Sequence, residues 1–171
     1  SLSSDGTRVA IGAPYNDGTG SDAGHVRIYE LSGGTWSQLG SDIDGEAAYD
    51  QSGYSVSLSS DGTRVAIGAP YNDGTGSNAG HVRIYELSGG TWSQLGSDID
   101  GEAANDYSGL SVSLSSDGTR VAIGARFNDG TSSNAGHVRI YEYSGGTWTQ
   151  LGSDIDGEAA DDNSGYSVSL S

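Results

Sequence analysis

SLSSDGTRVAIGA, residues 57–69, is the stretch on which the fold of this chain turns. With the residues just before it, it holds two runs of strict alternation. Tyr54, Val56 and Leu58 alternate with Ser55, Ser57 and Ser59, giving one apolar face and one hydroxyl face. Val65, Ile67 and Ala69 alternate with Arg64, Ala66 and Gly68. Between the runs, Ser60-Asp61-Gly62-Thr63 has the chemistry of a tight turn. The pair reads as a β-hairpin.

The same string begins at Ser1 and at Ser113, and another copy starts at Ser169. The spacing is constant, 57 − 1 = 56 and 113 − 57 = 56. The chain therefore divides into repeats at 1–56, 57–112 and 113–168, with 169–171 opening a fourth. The first two repeats differ only at Asp22/Asn78, Tyr49/Asn105, Gln51/Tyr107 and Tyr54/Leu110. The third departs further, with Arg126 and Phe127 where the others have Pro14-Tyr15 and Pro70-Tyr71. Units this alike are one building block set against its own copies.

Working outward through the second unit, Pro70 to Gly80 is a long polar loop. Val82 and Ile84 alternate with His81, Arg83 and Tyr85 in a third strand; Ser88-Gly89-Gly90 turns the chain; Thr91 to Leu95, with Trp92, is a fourth. Gly96 to Gly109 is an acidic connector, read as a solvated linker whose charges keep an edge from pairing. Four strands joined by hairpins make a sheet of propeller-blade size. The expected fold is all-β: three four-stranded antiparallel sheets stacked as β-propeller blades. A β-solenoid, built from shorter coils of even length, fits a unit with two hairpin turns poorly.

Composition agrees. Glycine accounts for 29 of 171 residues, about 17% against a usual value of about 7%, which disfavours long helices. Seven basic residues, all arginine, face 23 acidic ones for a net charge of −16, which repels phosphate backbones and anionic lipid and makes nucleic acid and membrane surfaces the least favoured partners; no nucleic acid and no membrane insertion are expected. No run approaches the roughly 20 apolar residues of a spanning helix. The absence of cysteine removes disulfides and thiol chemistry.

Three segments carry a resemblance. Ser52-Gly53-Tyr54-Ser55-Val56-Ser57-Leu58, Arg64-Val65-Ala66-Ile67-Gly68-Ala69-Pro70 and Ala79-Gly80-His81-Val82-Arg83-Ile84-Tyr85 resemble FG-GAP repeats, the blade motifs of integrin α-chain propellers and of many bacterial and algal surface proteins. Gly89-Gly90-Thr91-Trp92-Ser93-Gln94 and Gly101-Glu102-Ala103-Ala104 are similar to the bacterial-type subgroup. The resemblance implies a propeller on a secreted or surface-exposed, non-catalytic protein. Serine stands at positions 52, 108 and 164 in place of the phenylalanine that names the motif. Where the family carries an Asp-rich calcium loop, this sequence has only Ser59-Ser60-Asp61-Gly62.

Candidate chemistry is confined to the connectors. Asp42, Asp44 and Asp50 recur as Asp98, Asp100, Asp106 and as Asp154, Asp156, Asp162, and oxygen ligands at alternate positions suit a hard cation such as calcium. Asn16 to Asp22 offers similar groups, which a plain Asp-Gly turn explains as well. His25, His81 and His137 are expected as half-exposed strand residues hydrogen-bonded to a neighbour, and Trp36, Trp92 and Trp148 as packing between blades. No serine stands in a nucleophile elbow, and repeated identical groups suit binding better than catalysis.

Three blades do not close a ring of about four to eight. The shared phase of the two chain ends favours an excerpt from a longer array. The expected partners are further copies of itself, as a completed ring or a head-to-tail array. The expected role is structural and adhesive; the alternative is a glycan- or protein-binding module using pockets lined by Tyr and Trp.

Overall fold

A computed structural model describes residues 1–171, and every regular element in it is a strand. The first sheet contains β1 (Arg8–Ala13), β2 (His25–Ser32), β3 (Thr35–Gln38) and β4 (Ile43–Asp44). The second contains β5 (Ser55–Leu58), β6 (Arg64–Ala69), β7 (His81–Ser88), β8 (Thr91–Gln94) and β9 (Ile99–Asp100). The third repeats it with β10 (Ser111–Leu114), β11 (Arg120–Ala125), β12 (His137–Ser144), β13 (Thr147–Gln150) and β14 (Ile155–Asp156). No helix is long and apolar enough to cross a membrane.

Each sheet is an antiparallel meander: β5 pairs β6 with Val56 opposite Ile67, and β6 pairs β7 with Ala66 opposite Ile84. The outer edge departs from expectation. The end of β7 pairs β8, whereas its beginning pairs β9, placing Ile99 opposite Val82. The outer strand is thus broken into two pieces. The acidic connector is not wholly a solvated linker, because its first residues complete the sheet edge. The first sheet lacks a full inner strand and has only a bridge from Leu2 to Val9 in its place. Tyr166 to Ser171 forms no strand, although Leu170 N–H donates to Ser113 Oγ.

Both faces of the sheets carry apolar residues, and the facing surfaces of neighbouring sheets pack together. Ala10, Val26, Ile28 and Ile43 of the first blade meet Leu58, Val65, Ile67 and Trp92 of the second. Ala66, Val82, Ile84 and Ile99 of the second meet Leu114, Val121, Ile123, Tyr141 and Trp148 of the third. The core is therefore two inter-blade seams. Small residues make the seam thin: a Cβ on Gly68 would overlap the carbonyl oxygen of Gly109, which leads into the next blade.

Polar contacts repeat at both seams. Trp92 Nε1 donates to Leu39 O at 2.8 Å, and Trp148 Nε1 to Leu95 O at 2.7 Å. Leu58 N–H donates to Ser1 Oγ, and Leu114 N–H to Ser57 Oγ. Trp92 and Trp148 are packed between blades as expected, but Trp36, on the uncovered face of the first sheet, is 44% exposed.

Candidate functional site

The acidic connectors meet the histidines at the seams. Gly80, at φ +75°, lets the chain turn tightly into β7, so that His81 opens the strand facing the preceding blade. Its Nδ1 lies 3.8 Å from Asp98 Oδ2 and 4.0 Å from Glu46 Oε2, which belongs to the blade before. His137 stands likewise 3.8 Å from Asp154 and 3.9 Å from Glu102. Both imidazoles are 2% exposed and make no hydrogen bond, contrary to the half-exposed, hydrogen-bonded residue expected. Burial, reinforced by Arg83 and Arg139, outweighs the carboxylates and lowers both pKa values below the ordinary imidazole value.

On the first blade, whose leading face no other sheet covers, the arginine makes a different pair. Arg83 and Arg139 reach back across a seam, donating to the carbonyls of Asp44 and Asp100 and pairing with Glu46 and Glu102. Arg27, their counterpart, folds onto its own Asp42 at 2.8 Å. Hydrogen bonds from Arg27 and then Gln38 hold the Asp42 carboxyl down to about 2. His25 Nδ1 lies 3.6 Å from the same carboxylate.

The structure divides the nine aspartates. Asp42 and Asp44 gather at His25, Asp98 at His81 with Glu46, and Asp154 at His137 with Glu102. Each group offers one imidazole nitrogen and two carboxylates. Asp50 and Asp106 are buried elsewhere: each accepts from a backbone N–H, of Ala47 and Ala103, and from an amide across the seam, of Asn72 and Asn128. Asp162 accepts the Ala159 N–H at the surface. Asp100 and Asp156 expose their side chains. The loop from Asn16 is turn chemistry, with Asn16 Oδ1 and Asp17 Oδ1 accepting the N–H groups of Gly18 and Asp22.

A second site lies where the loops after β6 and β11 meet the turns into β5 and β10. Tyr54, Tyr71, Tyr107 and Phe127 form a chain of edge-to-face rings with centroids 6.4, 5.2 and 5.4 Å apart. With Leu110 and Arg126 they line an open pocket of about 400 Å³. The sequence led us to expect Tyr- and Trp-lined pockets between blades but did not place this one, which no tryptophan lines. The signal was present in the positions at which the repeats differ.

Residues 42–85 and 98–141 match the model of the FG-GAP repeat. The chain belongs to the FG-GAP repeat family. Each matched FG-GAP segment runs from Asp42 or Asp98, just before β4 or β9, into the next blade's β7 or β12, and so crosses one seam. Ser52 and Ser108, at the position of the family's phenylalanine, are buried where the chain crosses Gly24 and Gly80. No curated protein matches the chain. Among solved structures it is similar to a candidate 6-phosphogluconolactonase from Bacteroides uniformis, with TM-score 0.61, 13% identity, and 91% of this chain covering 39% of that one. It is also similar to a hypothetical selenium-binding protein from Sulfolobus tokodaii, with TM-score 0.53, 11% identity, and 96% of this chain covering 43% of that one. At such identity the likeness concerns the fold alone. The chain spans well under half the length of either neighbour.

Proposed function

We propose that this FG-GAP chain is a non-catalytic structural and adhesive repeat module, secreted or surface-exposed, whose blades assemble with further copies into a ring or a head-to-tail array. One observation carries the assembly. The leading face of the first blade exposes Ile11 and Trp36, whose counterparts Ile67 and Trp92 are buried in a seam. Val9, Ile11, Tyr29 and Trp36 frame an open apolar groove there. The trailing face of the third blade exposes Ile155 at 54%, whereas Ile43 and Ile99 are 5% exposed. The two faces are the two halves of a seam the molecule already makes twice, so a second copy fits one onto the other. The acidic, lysine-free composition and the family support the extracellular setting.

Calcium belongs to this reading as the ion the alternating aspartates point to. Its donors are the carboxylates beside the histidines: Asp42 and Asp44, Asp98 with Glu46, and Asp154 with Glu102.

Sedimentation velocity across concentration tests the assembly. The expected result is growth in mass with concentration, a discrete dimer indicating a ring and open-ended growth an array. Ile11→Asp, an exposed position, is expected to abolish growth without unfolding the chain. A monomer at all concentrations overturns the proposal.

A further inference from the structure

The three repeats differ in few places, and those places are not scattered. Each residue lining the pocket stands where the repeats disagree. Tyr54 and Leu110 occupy one such place, Tyr71 and Phe127 another, and Arg126 replaces Pro14 and Pro70. Tyr107 replaces Gln51 and is replaced by Asn163; Asn105 and Asn134 lie at the two remaining places on the rim. Away from the pocket the repeats disagree only at the positions of Gly20, Leu31 and Ser37. Apart from Leu87 and Tyr143 at the seam margins, seam residues are held constant while one rim is made asymmetric, as expected when a repeated scaffold carries one specific site on its loops.

Arg126 gives that site its charge preference. The other six arginines each pair with a carboxylate: Arg8, Arg27, Arg64, Arg83, Arg120 and Arg139. Arg126 pairs with none, in a chain of net charge −16. Its guanidinium is held between two rings, 4.4 Å from the centroid of Phe127 and 4.7 Å from that of Tyr166. Its Nε is buried without an acceptor. A stacked, fixed and unpartnered guanidinium is preorganised for a planar anion.

The surroundings decide between anions. Perpendicular tyrosines offer flat apolar faces with hydroxyl tips, and Asn105 and Asn134 add amides, a set that suits a ring bearing hydroxyl groups. A volume of about 400 Å³ is near the small end of ligand sites, about 300–1,000 Å³. The acidic chain as a whole repels a polyanionic peptide, whereas one carboxylate placed on Arg126 meets its attraction first. We infer that the juxtaposition of unpaired Arg126 with the Tyr71–Tyr107–Phe127 wall is a binding site for a carboxylate-bearing sugar of the uronic acid class.

Calorimetric titration of the full chain with glucuronate, glucose, acetate and a tetraglutamate peptide tests this. Glucuronate is expected to bind more tightly than glucose or acetate and to weaken with added salt. Arg126→Pro and Tyr107→Gln install residues the sister repeats already carry, Pro70 and Gln51, so the fold tolerates both. Arg126→Pro is expected to weaken glucuronate about tenfold or more, as loss of a charge-assisted hydrogen bond does, and to leave glucose unchanged. Equal binding of glucuronate and glucose, or unchanged affinity in Arg126→Pro, overturns the inference, as does tighter binding of the peptide. Sedimentation of Arg126→Pro should match the parent chain, which keeps this test separate from that of assembly.

Discussion

His81 and His137 stand in the seams as neutral imidazoles, and their titration sets part of the pH dependence of stability. His81 faces Arg83, Asp98, Glu46 and Asp50; His137 faces Arg139, Asp154, Glu102 and Asp106. Burial depresses both folded pKa values below the unfolded value of about 6.5. Above that value both states are neutral and the folded state loses nothing. As pH falls through it, the unfolded chain takes up protons that the folded chain refuses, so stability declines until the folded pKa is passed. Urea unfolding between pH 8 and pH 5 is expected to show this decline, and a His81→Asn/His137→Asn variant to flatten it. A parent chain equally stable across the window contradicts it. Asp5 and Asp117 act in a separate, more acid range. The N–H groups of Thr7 and Thr119, with hydroxyls of neighbouring Ser and Thr, hold their carboxyls at about 2. Their contribution is present above the unfolded carboxylate value, about 3.9, and is lost as pH falls from there through 2.

At the scale of the element, the connectors rather than the strands hold the open chemistry. Calcium that binds the folded chain alone must raise its melting temperature by mass action. At ten times its dissociation constant the gain is about 1.4 kcal/mol, or about 3–6 °C for a chain of this size. Scanning calorimetry in calcium against chelator is expected to show a rise of that order, diminished in Asp98→Asn/Asp154→Asn. Superimposable curves end the assignment. The connectors are also where sequence reasoning stopped short. The hairpin of β5 and β6 was legible because Val56, Leu58, Val65 and Ile67 keep a strict period of two. The pairing of β9 was not, since Ile99 alone is apolar there and one residue carries no period. Burial of His81 was hidden for another reason: Glu46, in the preceding repeat, supplies part of its surroundings. The pocket was hidden because its walls come from different repeats. What repeats was readable, whereas the site lay in what does not repeat.

At the scale of the molecule, stability resides in seams, and the blades differ in how many they possess. The second blade is covered on both faces; the first and third are covered on one. In such a quasi-one-dimensional stack, end units open with less free energy than the middle one. Hydrogen exchange in dilute solution is therefore expected to be slowest in β6 and β7 and faster in β1 and β2, although their sequences are identical. Sequence identity makes the comparison internal, because intrinsic exchange rates cancel strand by strand. Raising the protein concentration then separates assembly from isolation. A second copy seated on Val9, Ile11 and Trp36 gives β1 and β2 the seam they lack and draws Arg27 away from Asp42, as Arg83 and Arg139 already are from Asp98 and Asp154. Protection in β1 and β2 should rise toward that of β6 and β7, while β6 and β7 stay constant. Exchange in β1 and β2 that does not change with concentration means that the leading face stays bare, and the assembly reading falls with it.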